Sequence, residues 1–158
     1  MKQWLTNPWL TCRVQVVLGI IFVVAAWPKI VDPPSFAHMI YNYRLVPAQL
    51  INLMALTLPW VELIAGLALI LGVWRRAALL LIGAMLIVFI AAIGINLGRG
   101  NAIDCGCFNV ADAGKTHEQR ISDMKLDIWR DLGMLLMAAQ VWYGDKKKGR
   151  VENPSHFN

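Results

Sequence analysis

Charge is scarce in this chain. Of its 158 residues only 16% are Asp, Glu, Lys or Arg, while 58% are hydrophobic and the mean hydropathy is +0.52. That balance excludes an ordinary soluble domain of this length and points to one compact membrane domain. Cysteine is scarcer still, at three residues. A thiol relay across a membrane needs a pair on each side, and Cys12 has no companion near it, which argues against such a relay. A zinc site needs about four ligands. Cys105, Cys107, His117 and an Asp are the local supply, without paired spacing, so no metal is expected. There is no internal repeat, nucleotide loop or nucleic-acid motif, and no nucleic-acid partner is expected.

What is present is a set of long apolar stretches. Four windows come close to the length that crosses about 30 Å of hydrocarbon: roughly Trp9 to Ile30, Ile51 to Trp74, Ala77 to Leu97, and a weaker one ending at Tyr143. They predict an all-α membrane protein, a four-helix transmembrane bundle over residues 1–144, with a basic tail over 145–158. Much of the net charge of +5 sits in Arg75, Arg76, Lys146, Lys147, Lys148 and Arg150, just outside the apolar ends. The positive-inside bias then makes both termini cytoplasmic and the 98–118 loop periplasmic, in a bacterial inner membrane. The first stretch is expected to stay uncleaved, because no small-x-small site precedes Trp27.

Asp32 before Pro33-Pro34 reads as a helix N-cap, and Phe36, Met39, Ile40 and Tyr43 give the following segment one apolar side. A short interfacial helix is therefore expected between the first and second spans. Pro47 opens the next helix, which Pro59 kinks without breaking. From Glu118 the stripe Ile121, Met124, Ile128, Leu132 and Leu135 predicts a last helix whose opposite face carries Arg120, Asp123, Asp127 and Asp131. Beyond Gly144 no fold is assigned.

The residues with chemistry fall at one end. Counting back about 18 Å from Trp74 and from Tyr143, at 1.5 Å per residue, places Glu62 and Asp131 at one depth. Arg130 flanks Asp131, and Lys29 and Asn96 lie somewhat nearer the loop. Charges at such depth are costly unless paired, so these five should turn inward and form a polar cluster. It either moves protons, holds a polar ligand group, or fixes helix register. Trp60, beside Glu62, is a candidate to line a flat ligand such as a quinone, or else an interfacial anchor.

Cys105-Gly106-Cys107 in the polar loop is the clearest motif. Two cysteines one residue apart close only a tight ring, and Gly106 supplies the backbone freedom it needs. A strained bridge is easily reduced, which suits electron exchange, although a structural disulfide fits the same residues.

Together, Trp27-Pro28-Lys29-Ile30-Val31-Asp32-Pro33, Tyr41-Asn42-Tyr43-Arg44-Leu45-Val46-Pro47, Leu58-Pro59-Trp60-Val61-Glu62 with Gly66, and Asp104-Cys105-Gly106-Cys107-Phe108 resemble the methylamine-utilisation MauE family, within the DoxX-like group of four-helix membrane proteins. The resemblance runs from about Gly19 to Gln140 and departs from many relatives at Pro28 and Asn109. It implies a redox-associated protein working with a thioredoxin-like partner on disulfides of exported proteins. Cys105 and Cys107 are then the redox pair, with Lys29 and Glu62 on the family's polar positions and a quinone as candidate electron acceptor. The competing reading is a non-catalytic anchor or assembly subunit of a larger membrane complex; a small transporter using the Glu62 layer is a further one.

Overall fold

The computed structural model describes residues 7–101 and 116–151. Among them the chain is all-α, with five helices: α1 (Pro8–Val31), α2 (Pro33–Tyr43), α3 (Ala48–Leu71), α4 (Arg75–Gly98) and α5 (His117–Val151). By length and apolar composition α1, α3 and α4 can each cross a membrane. The weaker window ending at Tyr143 falls within α5, which does not meet the same standard.

Successive long helices run antiparallel. α1 packs most extensively on α3, α3 meets α4, α4 meets α5, and α5 returns to α1, so the four form a closed square with α1 diagonal to α4. Leu18 and Phe22, Ala65 and Leu69, Ile82 and Leu86, and Met134, Ala138 and Val141 bring all four helices into one core. Between spans that lipid already surrounds, such a core is held by close van der Waals packing rather than by removal from water.

The α1–α3 contact is close because two glycines meet there. A Cβ on Gly19 would stand 2.7 Å from the Gly66 carbonyl oxygen, and one on Gly66 would stand 2.8 Å from that of Gly19. Only without side chains can the two backbones approach this far. The α3–α4 turn is short because Gly72 (φ 70°) and Trp74 (φ 46°) take left-handed backbone, reversing the chain within three residues.

Asp32 caps α2 as its position suggests. Its Oδ1 accepts from the Ser35 N–H at 3.2 Å and its Oδ2 from the Ser35 hydroxyl at 2.6 Å. Phe36, Met39, Ile40 and Tyr43 are the buried residues of α2, which lies against α3 at the end where α1 stops.

The last helix departs from its pattern in two ways. Its apolar stripe is not its inward side, since Leu132 is 37% exposed, whereas Asp131, expected to turn inward at its depth, is 2% exposed. The inward seam follows Met124, Asp127, Asp131, Met134, Ala138 and Val141, a three-four spacing that passes through two acids. The purely apolar stripe lies to one side of that seam. Beyond Gly144 the helix also continues, to Val151. Asp145 secures this end, since its Oδ2 lies 3.2 Å from Arg76 Nε and its Oδ1 3.9 Å from an Arg75 Nη at the α3–α4 turn.

Candidate functional site

Lys29 stands one residue after Pro28, in the last turn of α1. Glu62 stands three residues after Pro59 in α3. The antiparallel crossing at Gly19 and Gly66 aligns them, and the Lys29 Nζ donates to both Glu62 carboxylate oxygens at 2.8 Å. Both side chains are 3% exposed. The ammonium also faces two rings, 5.3 Å from the centroid of Phe36 in α2 and 5.5 Å from that of Phe89 in α4. Aromatic faces attract a cation through their quadrupole, most when water is excluded, so the rings hold the lysine in place without competing for its protons.

Asp131 comes to this point from α5. It lines a void of about 30 Å³ with Lys29 and Glu62, walled by Phe22, Leu86, Phe89 and Met134 among others. Its Oδ2 is buried and has no hydrogen-bond partner. Its Oδ1 lies 3.9 Å from Arg130 Nε, but that guanidinium is engaged by Asp127, at 2.6 Å from Nη2. The structure thus brings Lys29, Glu62 and Asp131 together, with Arg130 at their edge.

Asn96 is buried elsewhere. Its amide donates to the carbonyls of Tyr43 and Ala92, joining α4 to the end of α2 in a cluster with Ile93 and Met124. Trp60 is 53% exposed and faces away from Glu62, as two residues on a helix lie about 200° apart. Cys105 and Cys107 lie outside the described residues.

Sequence reasoning missed Phe36 and Phe89 as companions of Lys29. Phe36 carried a signal, since it begins the apolar side of α2, but Phe89 is one apolar residue among many in α4. Both rings also line an apolar groove of about 280 Å³ between α2, α3 and α4, with Tyr43, Met54, Met85 and Val88 among its other walls. Phe89 therefore stands between the apolar groove and the charged pair, lining both.

A multi-pass helical membrane protein, with an ion pair sealed among its spans and a second buried acid beside it, is the class these features define. The family model for methylamine utilisation protein MauE matches residues 7–144, and the chain belongs to the MauE family. It is 32% identical over 108 residues to the methylamine utilization protein MauE of Methylophilus methylotrophus, covering 68% of this chain and 57% of that one. The MauE protein of Methylorubrum extorquens is 40% identical over 105 residues, covering 66% and 56%. That of Paracoccus denitrificans is 34% identical over 109 residues, covering 68% and 59%. The match spans less than three fifths of the length of these curated relatives. No solved structure matches.

Proposed function

We propose that this chain is a membrane redox protein of methylamine utilisation, exchanging disulfides through Cys105 and Cys107 with a thioredoxin-like extracytoplasmic partner. The observation that carries this reading is where the cysteine segment leaves the bundle. Its flanks, Asn101 and Thr116, follow α4 and precede α5 at the same end as α2, Lys29 and Glu62. A dithiol pair carried between those flanks is tethered at the end of the bundle that holds the charged cluster.

In this reading α5 crosses the membrane as a fourth span. Both termini are cytoplasmic, in keeping with Arg75, Arg76 and Asp145 gathered at the other end of the bundle, and the cysteine loop is periplasmic. The partner's thiolate attacks one sulfur of the Cys105–Cys107 disulfide and forms a mixed disulfide. The partner's second thiol displaces it, leaving an oxidised partner and a reduced Cys105–Cys107 pair. Re-oxidation of that pair releases two electrons and two protons, which a quinone accepts to become a quinol. The groove between α2, α3 and α4 offers a quinone an apolar, aromatic-lined seat beside Lys29, which the outward-facing Trp60 does not.

Separate Cys105→Ser and Cys107→Ser variants test the exchange on non-reducing gels in the native host. One of the two should accumulate a reductant-sensitive adduct with a thioredoxin-like protein, and the double variant should show none. Absence of any adduct, with exported substrates still acquiring disulfides in the double variant, would leave the chain as an anchor or assembly subunit.

A further inference from the structure

The charged cluster does not balance. Around the void, α1 contributes Lys29, α3 contributes Glu62, and α5 contributes Asp131 with Arg130 and Asp127 beside it, while α4 supplies only the apolar Leu86 and Phe89. Among these described residues three carboxylates face two cations. Glu62 has both oxygens on the Lys29 ammonium, and Asp127 holds Arg130 at 2.6 Å. The acid left with the weakest pairing is Asp131, 2% exposed, with Oδ2 unpartnered and Oδ1 3.9 Å from an Arg130 that Asp127 already holds. Burial favours the protonated form of a carboxyl whose nearest cations are each held by another acid, and that form needs only an acceptor for its O–H.

The void provides for that acceptor. Its volume of about 30 Å³ exceeds the roughly 10–15 Å³ that one water needs, and Lys29, Glu62 and Asp131 give such a water three polar neighbours. We propose that Asp131 and Glu62 form a site for one exchangeable proton, carried on Asp131 and joined to the Lys29–Glu62 pair through a water molecule in the void. The transfer is reversible and balanced: the Asp131 carboxyl gives its proton to that water as the water gives one to the Glu62 carboxylate, so that Asp131 becomes the carboxylate beside Lys29 and Glu62 the protonated acid. This inference goes beyond the thiol reading and does not depend on it.

Infrared difference spectroscopy of the purified full chain in lipid nanodiscs tests it directly, without any electron donor. A protonated carboxyl has a carbonyl stretch that carboxylates lack. The band should disappear as pH rises, shift in heavy water, and shift on incorporation of carboxyl-labelled aspartate, which needs no substitution. Asp131→Asn should abolish the band with helicity retained. Glu62→Gln should also remove it, because Asp131 then ionises to replace Glu62 beside Lys29. A labelled wild-type protein with no aspartate-derived band above about pH 5, where exposed aspartates are ionised, would overturn the proposal, as would a band surviving unchanged in Asp131→Asn.

Discussion

Gly19 and Gly66 meet across the α1–α3 crossing so closely that a Cβ on either would stand 2.7–2.8 Å from the other's carbonyl oxygen. The obstacle is backbone, which cannot rotate aside as a side chain can. Alanine at either position should therefore separate the helices and cost about 1–3 kcal/mol. Thermal unfolding in detergent checks this, with Gly83→Ala as control. No atom lies within 4 Å of a Cβ at Gly83, and removing a helical glycine there should stabilise by about 0.5–1 kcal/mol.

The same crossing holds Lys29 against Glu62, and the two ends of that pair should not be equivalent. Losing Lys29 leaves the Glu62 carboxylate buried with no cation on it, whereas losing Glu62 leaves a lysine with Asp131 at hand. Lys29→Met should cost about 3–5 kcal/mol, as breaking a buried pair does, and Glu62→Gln clearly less. Glu62→Leu, which also removes the polar atoms around the void, should fall between them. A double-mutant cycle with Lys29→Met/Glu62→Leu should recover much of the loss. Equal costs for Lys29→Met and Glu62→Gln would show that Asp131 cannot substitute.

Orientation is open to chemical labelling. Cys12 lies exposed near the start of α1, at the end bearing Arg75 and Arg76. After reduction and permeabilisation of the outer membrane, an impermeant thiol reagent should modify Cys105 and Cys107 in intact cells and spare Cys12. Mass spectrometry reads the sites. The reverse pattern, with modification of the pair only in inverted vesicles, would place the cysteine loop in the cytoplasm.

Asp32 makes a pH-dependent contact at the α1–α2 corner. The Ser35 hydroxyl, and then the Ser35 backbone N–H, hold its carboxyl below the usual value of 3.8. A depressed native value means that the contribution to stability is complete above the ordinary carboxylate range and is lost as pH falls through the native value. Asp32→Asn keeps a capping oxygen but does not titrate. The melting-temperature gap between wild type and Asp32→Asn should be constant from neutrality down to about pH 4 and shrink below it. A gap that stays constant into stronger acid would mean that the capping oxygen of Asp32 acts without its charge.

Much of the fold was legible because it depends on local pattern. The spacing of Phe36, Met39, Ile40 and Tyr43 named the buried side of α2, and apolar length alone located α1, α3 and α4. The depth count also put Glu62 and Asp131 at the height where one void receives both. What the apolar stripe by itself misplaced was the rotation of α5, although the depth of Asp131 already turned it inward. Periodicity assigns the apolar side inward, but here Lys29 and Glu62 offer a polar seat, and the helix turns Asp131 toward it at the expense of Leu132. Trp60 looked like a neighbour of Glu62 because the two are close in sequence, and helical geometry sends them to opposite sides. The Gly19–Gly66 contact had no local signature, since each glycine is ordinary until the other helix is placed.

The charged cluster also has an order of assembly. Lys29 leaves the ribosome 33 residues before Glu62, and Asp131 comes from the last helix of all. On its own, each charge opposes entry of its helix into hydrocarbon by about 2.5–3.5 kcal/mol on insertion scales. α1 and α3 are apolar enough to enter despite this and then neutralise each other. In the proposed four-span arrangement α5, with less apolar length to offset Asp131, would enter against the seat that α1, α3 and α4 present. Under that arrangement, a chain whose first three long helices had misassembled would offer Asp131 no polar seat, and its last helix would stay at the membrane surface.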